Sequence, residues 1–146
     1  MEYWKFKAKD KLKDYKYQQT ALKTLPLEIN NITSKMESIR SAGTDGTPVI
    51  GGGSTREDML LSSIVMKAEY EAMYKRAKRA VMAVEKALEM LTEEEKTVLD
   101  RMYIHGTKGS LERLSDELCL HERSVYKLID RALYHFTIAM YGATEN

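Results

Sequence analysis

The sequence contains few residues that break helices or cross-link a chain. Its 146 residues include two prolines and eight glycines, and five of the glycines fall between Gly43 and Gly53. The long stretches on either side contain few helix breakers, so the composition favours a mostly helical protein. A single cysteine, Cys119, rules out an intramolecular disulfide and a cysteine-based zinc site, which fits a reducing cytoplasm.

Other absences narrow the function. The sequence has neither an apolar run of about 18 residues nor the apolar core of a secretory signal, so we expect a soluble cytoplasmic protein. The three histidines, His105, His121 and His135, have no second histidine or cysteine at a metal-binding helical spacing. No nucleophile, base and orienting group stand out together. We therefore expect no metal, no other cofactor and no enzyme activity.

A large excess of one charge is also missing. The chain has 23 lysines and arginines against 22 aspartates and glutamates, so any attraction to nucleic acid must come from local clusters. One cluster is the KRAKR run from Lys75 to Arg79, and the other is a set of N-terminal lysines. These lysines are Lys5, Lys7, Lys9, Lys11, Lys13 and Lys16. Both clusters fit solvated helix faces. The alternatives are that the N-terminal lysines bind phosphate or an RNA polymerase surface and that the KRAKR run makes a second DNA contact.

Apolar residues at alternating spacings of four and three predict two helices in residues 1–42. The first stripe consists of Ala8, Leu12, Tyr15, Gln19 and Leu22. The second consists of Leu25, Ile29, Ile32, Met36 and Ile39. The first helix should span residues 3–23. Pro26 disfavours helical backbone at the residue before it, so we predict a bend at residues 24–26.

Residues 43–54 form a glycine-rich stretch that we interpret as a flexible linker. Ser54 or Thr55 should cap a long helix over residues 55–91. Its apolar stripe consists of Met66, Tyr70, Met73, Ala77, Ala80, Val84, Ala87 and Leu91. Three such stripes predict a helical arm, which forms either an intrachain bundle or a homodimer with a second copy.

The residues that start and end helices are spaced more regularly in residues 92–146 than in the first half of the chain. Thr92 followed by Glu95 is a capping box, which predicts a short helix that ends near Ile104. Ser110 should cap a second short helix. Its inward positions are Leu111, Leu114 and Leu118, and its exposed positions are Glu112, Arg113, Asp116 and Glu117.

A tight turn follows at residues 119–121, with Cys119 packed as a small hydrophobe, Leu120 in the core and His121 capping the last helix. That helix should run from His121 to Phe136. Two short helices across such a turn are typical of a DNA-binding helix-turn-helix. The residues expected to face the major groove are Glu122, Arg123, Tyr126, Lys127 and Arg131.

Charge on this last helix is mixed in sign. Arg123 and Lys127 are four residues apart and reach base edges or phosphates from one face, whereas Asp130 lies on the same helix. Three classes of function therefore stay open. They are a DNA-binding transcription regulator, a DNA-packaging component like a small terminase subunit, and a helical adaptor that contacts only protein.

Two segments, LTEEEKTVLDRMYI and LERLSDELCLHERSVYKLIDRALYHF, resemble the region-four helix-turn-helix of bacterial sigma factors. More narrowly, they resemble the sigma-like late transcriptional regulators of phages and prophages of Gram-positive bacteria, the ArpU and RinA type. The resemblance implies an all-α fold in which a helical arm or bundle with coiled-coil-like seams precedes a C-terminal sigma region-four-like helix-turn-helix. It also implies activation of late phage genes in a bacterial cytoplasm, with duplex DNA and host RNA polymerase as partners.

The resemblance also implies roles for single residues. Base contacts fall to Glu122, Arg123, Tyr126 and Lys127, whereas Ser124 and Arg131 meet the DNA backbone. The sigma-like turn reads Leu-Gly-hydrophobic-Ser/Thr, but here it reads Leu-Cys-Leu-His over residues 118–121. Cysteine lacks the freedom of glycine at positive φ, and histidine is a poorer cap than serine. No promoter-melting domain precedes the segment, so the chain should not open a promoter on its own.

Overall fold

The computed structural model describes residues 1–42 and 52–142, and every regular element in these residues is helical. The predicted all-α class is confirmed. The elements are α1 (Glu2–Ala42), α2 (Gly52–Glu89), α3 (Glu93–Leu99) with a π-helical turn (Asp100–Ile104), α4 (Ser110–Leu118) and α5 (Glu122–Tyr141). No helix in the described residues is both long enough and apolar enough to cross a membrane.

Helix α1 runs without interruption through Pro26, so the predicted bend and the division into two helices are wrong. Proline inside a helix removes one backbone hydrogen bond and costs about 3 kcal/mol. The helix persists because buried side chains continue on both sides of the proline, with Leu12 before it and Ile32 after it. Burial of apolar side chains on both sides of the proline outweighs the local penalty.

Helix α2 begins at Gly52, so the predicted cap at Ser54 or Thr55 is wrong because both residues lie inside the helix. A glycine costs a helix only about 1 kcal/mol, which a helix of 38 residues can absorb. Most of the predicted linker, residues 43–51, lies outside the described residues.

The chain divides into two compact units, Thr20–Lys78 and a second one formed by Met1–Gln19 with Arg79–Asn146. In the Thr20–Lys78 unit, segments of α1 and α2 bury a narrow set of side chains. Its buried residues are Leu25, Ile32, Met36, Ile39, Ser63 and Ala77. The predicted stripe from Leu25 to Ile39 is confirmed at four of its five positions, and the fifth, Ile29, is half-buried. The first part of the α2 stripe is wrong, since Met66 and Met73 are exposed and the buried face includes Ser63, which an apolar pattern does not count.

The unit formed by Met1–Gln19 and Arg79–Asn146 has one apolar core. The start of α1 and the end of α2 contribute Leu12 and Val84 to it, and the C-terminal helices contribute Val98, Val125 and Phe136. Each of these side chains is almost completely buried. The first turns of the chain therefore form part of the scaffold that holds α3, α4 and α5.

Close backbone contacts define the start of α3 and the connection that follows it. The predicted capping box is confirmed, because the Glu95 amide donates to Thr92 Oγ1 at 3.2 Å and the Thr92 amide donates to Glu95 Oε1 at 3.1 Å. The helical path ends at Ile104, as predicted. A side chain at Gly106 would place its Cβ 2.2 Å from the Met102 carbonyl oxygen, so only glycine fits there.

Ser110 does not cap α4 as predicted. The cap residue is Gly109, whose φ of 82° lies in the left-handed region that favours glycine. The Ser110 hydroxyl is already engaged with the preceding loop, since it accepts a hydrogen bond from the Thr107 amide at 2.8 Å and donates to the Thr107 carbonyl at 2.7 Å.

Candidate nucleic-acid interface

A three-residue turn joins α4 to α5, and Ser115 closes it. The Leu120 amide donates to the Ser115 carbonyl at 3.1 Å, and the Ser115 hydroxyl donates to the Leu120 carbonyl. Cys119 adopts φ 54° and ψ 41°, the left-handed conformation that commonly ends a helix. The role of Ser115 was not predicted, because sequence periodicity marks it only as a polar position of α4.

Two expectations about this turn are wrong. Leu120 is 37% exposed and does not enter the core, whereas Leu118 packs against the core from the last position of α4. Cys119 is exposed and does not pack as a small hydrophobe. The left-handed backbone at Cys119 redirects the chain after Leu118, which turns the next side chains toward solvent.

His121 caps α5, as predicted. Its backbone is extended, its Nδ1 accepts a hydrogen bond from the Arg123 amide at 3.2 Å, and its carbonyl accepts from the Val125 amide at 3.1 Å. Helix α5 extends past the predicted end at Phe136 as far as Tyr141.

Helix α5 buries one face against α3 and α4 and exposes the other. Its buried residues are Val125, Leu128, Ile129, Ala132, Leu133, Phe136 and Thr137. All six predicted contact residues are exposed, and they are Glu122, Arg123, Ser124, Tyr126, Lys127 and Arg131. Arg123 and Lys127 lie one turn apart near the middle of the exposed face, and Tyr126 is 58% exposed beside them.

Arg131 lies close to a carboxylate from another helix. Its Nε lies 3.9 Å from Oε2 of Glu95, a carboxylate that is only 3% exposed. The same oxygen is hydrogen-bonded to His135 Nδ1. Burial raises the pKa of the Glu95 carboxyl group, but hydrogen bonds from Thr92 and the contact with His135 outweigh burial and hold that pKa below its usual value.

Helix α1 contributes charge to the exposed face of α5. Lys5 Nζ lies 2.9 Å from Asp130 Oδ1 and 6.0 Å from the centre of the Tyr134 ring. The cation compensates one of the two carboxylates of α5, and the other is Glu122 in the first turn. This contact was not predictable from the sequence, because the two residues are 125 positions apart and no local pattern links them.

A groove of about 740 Å³ lies beside the N-terminus of α5. Three lysines line it, Lys13 and Lys16 from α1 and Lys108 from the loop before α4, together with the acidic residues Glu112 and Glu122. The positive charge near Arg123 and Lys127 therefore extends over α1 and the loop. A surface of this kind can contact phosphates that flank a segment of duplex in contact with α5.

No group of three or more histidine, cysteine, aspartate or glutamate side chains suited to a metal ion occurs in residues 1–42 and 52–142. No protein-family model, curated protein or solved structure matches the chain.

Proposed function

We propose that this chain is a sequence-specific regulator of transcription that binds duplex DNA through α5. The observation that carries the proposal is the exposed pair Arg123 and Lys127, one turn apart at the start of a helix that follows a fixed three-residue turn. In DNA-binding proteins with two helices across a short turn, the first residues of the second helix contact base edges in the major groove.

Each exposed side chain has a role that matches its chemistry. Arg123 has the planar donor pair that binds guanine O6 and N7 together, and Lys127 offers a single mobile charge to a phosphate or a base. Glu122 accepts from a cytosine amino group, and Tyr126 contacts a phosphate or a thymine methyl. Ser124 and the half-exposed Arg131 contact the DNA backbone.

Charge near α5 also supports binding. Asp130 is neutralised by Lys5 at 2.9 Å, and the groove with Lys13, Lys16 and Lys108 adds cations beside the start of α5. Affinity for DNA depends strongly on the number of phosphates that cations neutralise. A chain with no net excess of charge can therefore still have a positive local surface.

The biological role that we propose is activation of late phage or prophage genes in concert with host RNA polymerase. Its basis is the resemblance of residues 91–104 and 111–136 to the sigma-like phage regulators. Run-off transcription with bacterial RNA polymerase, on a template that carries the selected binding site, tests this role. A rise in transcript with the parent and none with Arg123→Ala is the expected result.

Selection of bound sequences from a random duplex pool tests the DNA-binding proposal. Recovery of one motif is expected, and fluorescence anisotropy on that motif then gives affinities over a series of salt concentrations. Arg123→Ala should weaken binding by about 1–3 kcal/mol and relax preference at one base pair. Arg123→Lys keeps the charge but loses the paired donors. Its preference for one base pair should therefore fall more than its affinity for the selected duplex.

Lys127→Ala should reduce the slope of log affinity against log salt by about 1 if Lys127 contacts a phosphate. Lys86→Ala is the matched control, since it removes an exposed cation from α2. Parental affinity for the selected site in both the Arg123→Ala and the Lys127→Ala variant would show that α5 is not the DNA-binding surface. Absence of any salt-dependent binding would favour the protein adaptor.

A further inference from the structure

An apolar stripe runs along the outer side of α2. Leu61, Val65, Ala68 and Ala72 follow the spacing four, three, four, which places them on one face of the helix. All four are exposed, Leu61 by 61% and Val65 by 51%. The face lies opposite Ser63 and Ala77, which are buried in the Thr20–Lys78 unit, so the stripe is no part of that core.

Further apolar side chains widen this stripe. Ile64, which is 43% exposed, lies on one flank of the stripe, and Met66, also 43% exposed, lies beyond the other flank. A groove of about 430 Å³ crosses the stripe, lined by Asp58, Leu61, Ser62, Val65, Met66 and Glu69. Contiguous exposed apolar surface of this kind commonly marks a site where another molecule binds.

The charges beside the stripe change sign along the helix. Glu57 and Asp58 precede it, whereas Lys75 and Arg76 follow it, and all four are exposed. Among the residues that the structure describes, none of the four has an ion-pair partner. The two ends of the stripe are therefore complementary to each other in charge.

We infer that this face binds the same face of a second copy of the chain, with the two α2 helices antiparallel. A twofold axis between residues 66 and 67 places Leu61 of one copy opposite Ala72 of the other, and Val65 opposite Ala68. Each pair joins a large side chain to a small one, which lets the helices approach closely. The same register brings Glu57 and Asp58 of one copy level with Lys75 and Arg76 of the other.

Charge selects the antiparallel arrangement. In a parallel pair each residue lies opposite the same residue of the second chain. The two acidic ends would then face each other, and so would the two basic ends. In the antiparallel pair every acidic end faces a basic end, and this happens twice because the contact is symmetric. Such a contact uses the same patch on both copies and closes as a dimer.

Sedimentation of the full chain without DNA, over a series of concentrations, tests the inference. The expected species is a dimer of twice the 16.8 kDa chain mass. Val65→Glu should shift the chain to monomer, because it places a carboxylate in the centre of the contact. The matched control is Leu27→Glu, which adds the same charge at an exposed apolar position of α1. Circular dichroism should show unchanged helix content in both variants.

Charge exchange then tests the orientation. Asp58→Lys and Lys75→Asp should each weaken dimerisation about threefold to thirtyfold, because each variant creates two like-charged contacts. The variant with both changes should return to within about threefold of the parent, since every contact again joins opposite charges.

Three results would overturn the inference. They are a parent that stays monomeric at every concentration, a Val65→Glu variant that remains a dimer, and a double variant that does not recover. None of these results bears on DNA binding by α5, because the experiments contain no DNA.

Discussion

Lys5 Nζ lies 2.9 Å from Asp130 Oδ1, and this ion pair joins the first turns of α1 to the exposed face of α5. The two partners differ in environment, since the Lys5 side chain is 14% exposed and that of Asp130 is 73% exposed. The carboxylate therefore faces the same solvent as Arg123 and Lys127. A ligand that approaches α5 meets Asp130 together with a cation from another helix.

Asp130→Asn should strengthen DNA binding. The change removes the carboxylate beside Arg123 and Lys127 and releases the charge of Lys5, so the slope of log affinity against log salt should steepen by up to about 1. Stability should change by less than about 1 kcal/mol, since the pair has an exposed partner. Fluorescence anisotropy on the selected duplex over a salt series gives both slope and affinity.

Asp14→Asn is the control for Asp130→Asn, because it makes the same change in net charge at an exposed position of α1. Equal gains in affinity from both variants would mean that the total charge matters and that the position on α5 does not. An unchanged or lower affinity with Asp130→Asn would contradict the placement of DNA against this face.

Cys119→Gly should stabilise the protein. Cys119 has φ 54°, and it is the one described residue other than glycine with positive φ. A side chain makes this conformation unfavourable, and glycine relieves that cost although it gains freedom in the unfolded chain. The free energy of unfolding should rise by about 0.5–1 kcal/mol in denaturant titration. Cys119→Ala keeps the Cβ and should not show the gain.

Local signals in the sequence predicted the features that local interactions determine. The Thr92 and Glu95 capping box is visible because its two residues are three apart and bond each other's backbone. The exposed and buried faces of α5 follow from the spacing of its apolar residues. The cap at His121 was predicted from its place before that helix, and its side chain accepts the Arg123 amide as a serine would.

Features that depend on distant residues or on backbone direction were not predictable. The continuity of α1 through Pro26 depends on packing along the whole helix, which the local effect of a proline does not reveal. The exposure of Leu120 depends on the left-handed conformation of Cys119, a conformation that is rare for any residue with a side chain. The Lys5 and Asp130 contact requires the tertiary fold itself.

Thr92→Ala should destabilise the unit that carries α5. The Thr92 hydroxyl accepts the Glu95 amide at 3.2 Å, and without it one amide of the first turn of α3 loses its partner. Loss of such a cap costs about 1 kcal/mol. Thermal unfolding followed by circular dichroism should show a lower Tm.

Thr97→Ala is the matched control for the cap. The Thr97 hydroxyl donates to the Glu93 carbonyl at 2.9 Å within the same helix, a bond that adds little to helix stability. Its Tm should stay close to that of the parent. Equal losses of Tm in both variants would mean that threonine packing, and not capping, stabilises the start of α3.

Acid should weaken the fold through Glu95. Hydrogen bonds from Thr92 and the contact with His135 hold the pKa of the folded Glu95 carboxyl group below its ordinary value of 4.5, although burial alone would raise it. A group with a lowered folded pKa stabilises the fold fully above its unfolded pKa. That stability is lost as the pH falls from 4.5 through the folded pKa.

Glu95→Gln isolates this effect, because glutamine can also complete a capping box but carries no charge. Near neutral pH the variant should be less stable than the parent by about 1–2 kcal/mol, since Arg131 and His135 lose a charged acceptor. Below the ordinary carboxyl pKa the difference should shrink, because the parent protonates and the variant does not. Denaturant titrations at a series of pH values measure the gap, with exposed Glu94→Gln as the control. A gap of constant size at every pH would mean that the shape of the Glu95 side chain matters at this site and its charge does not.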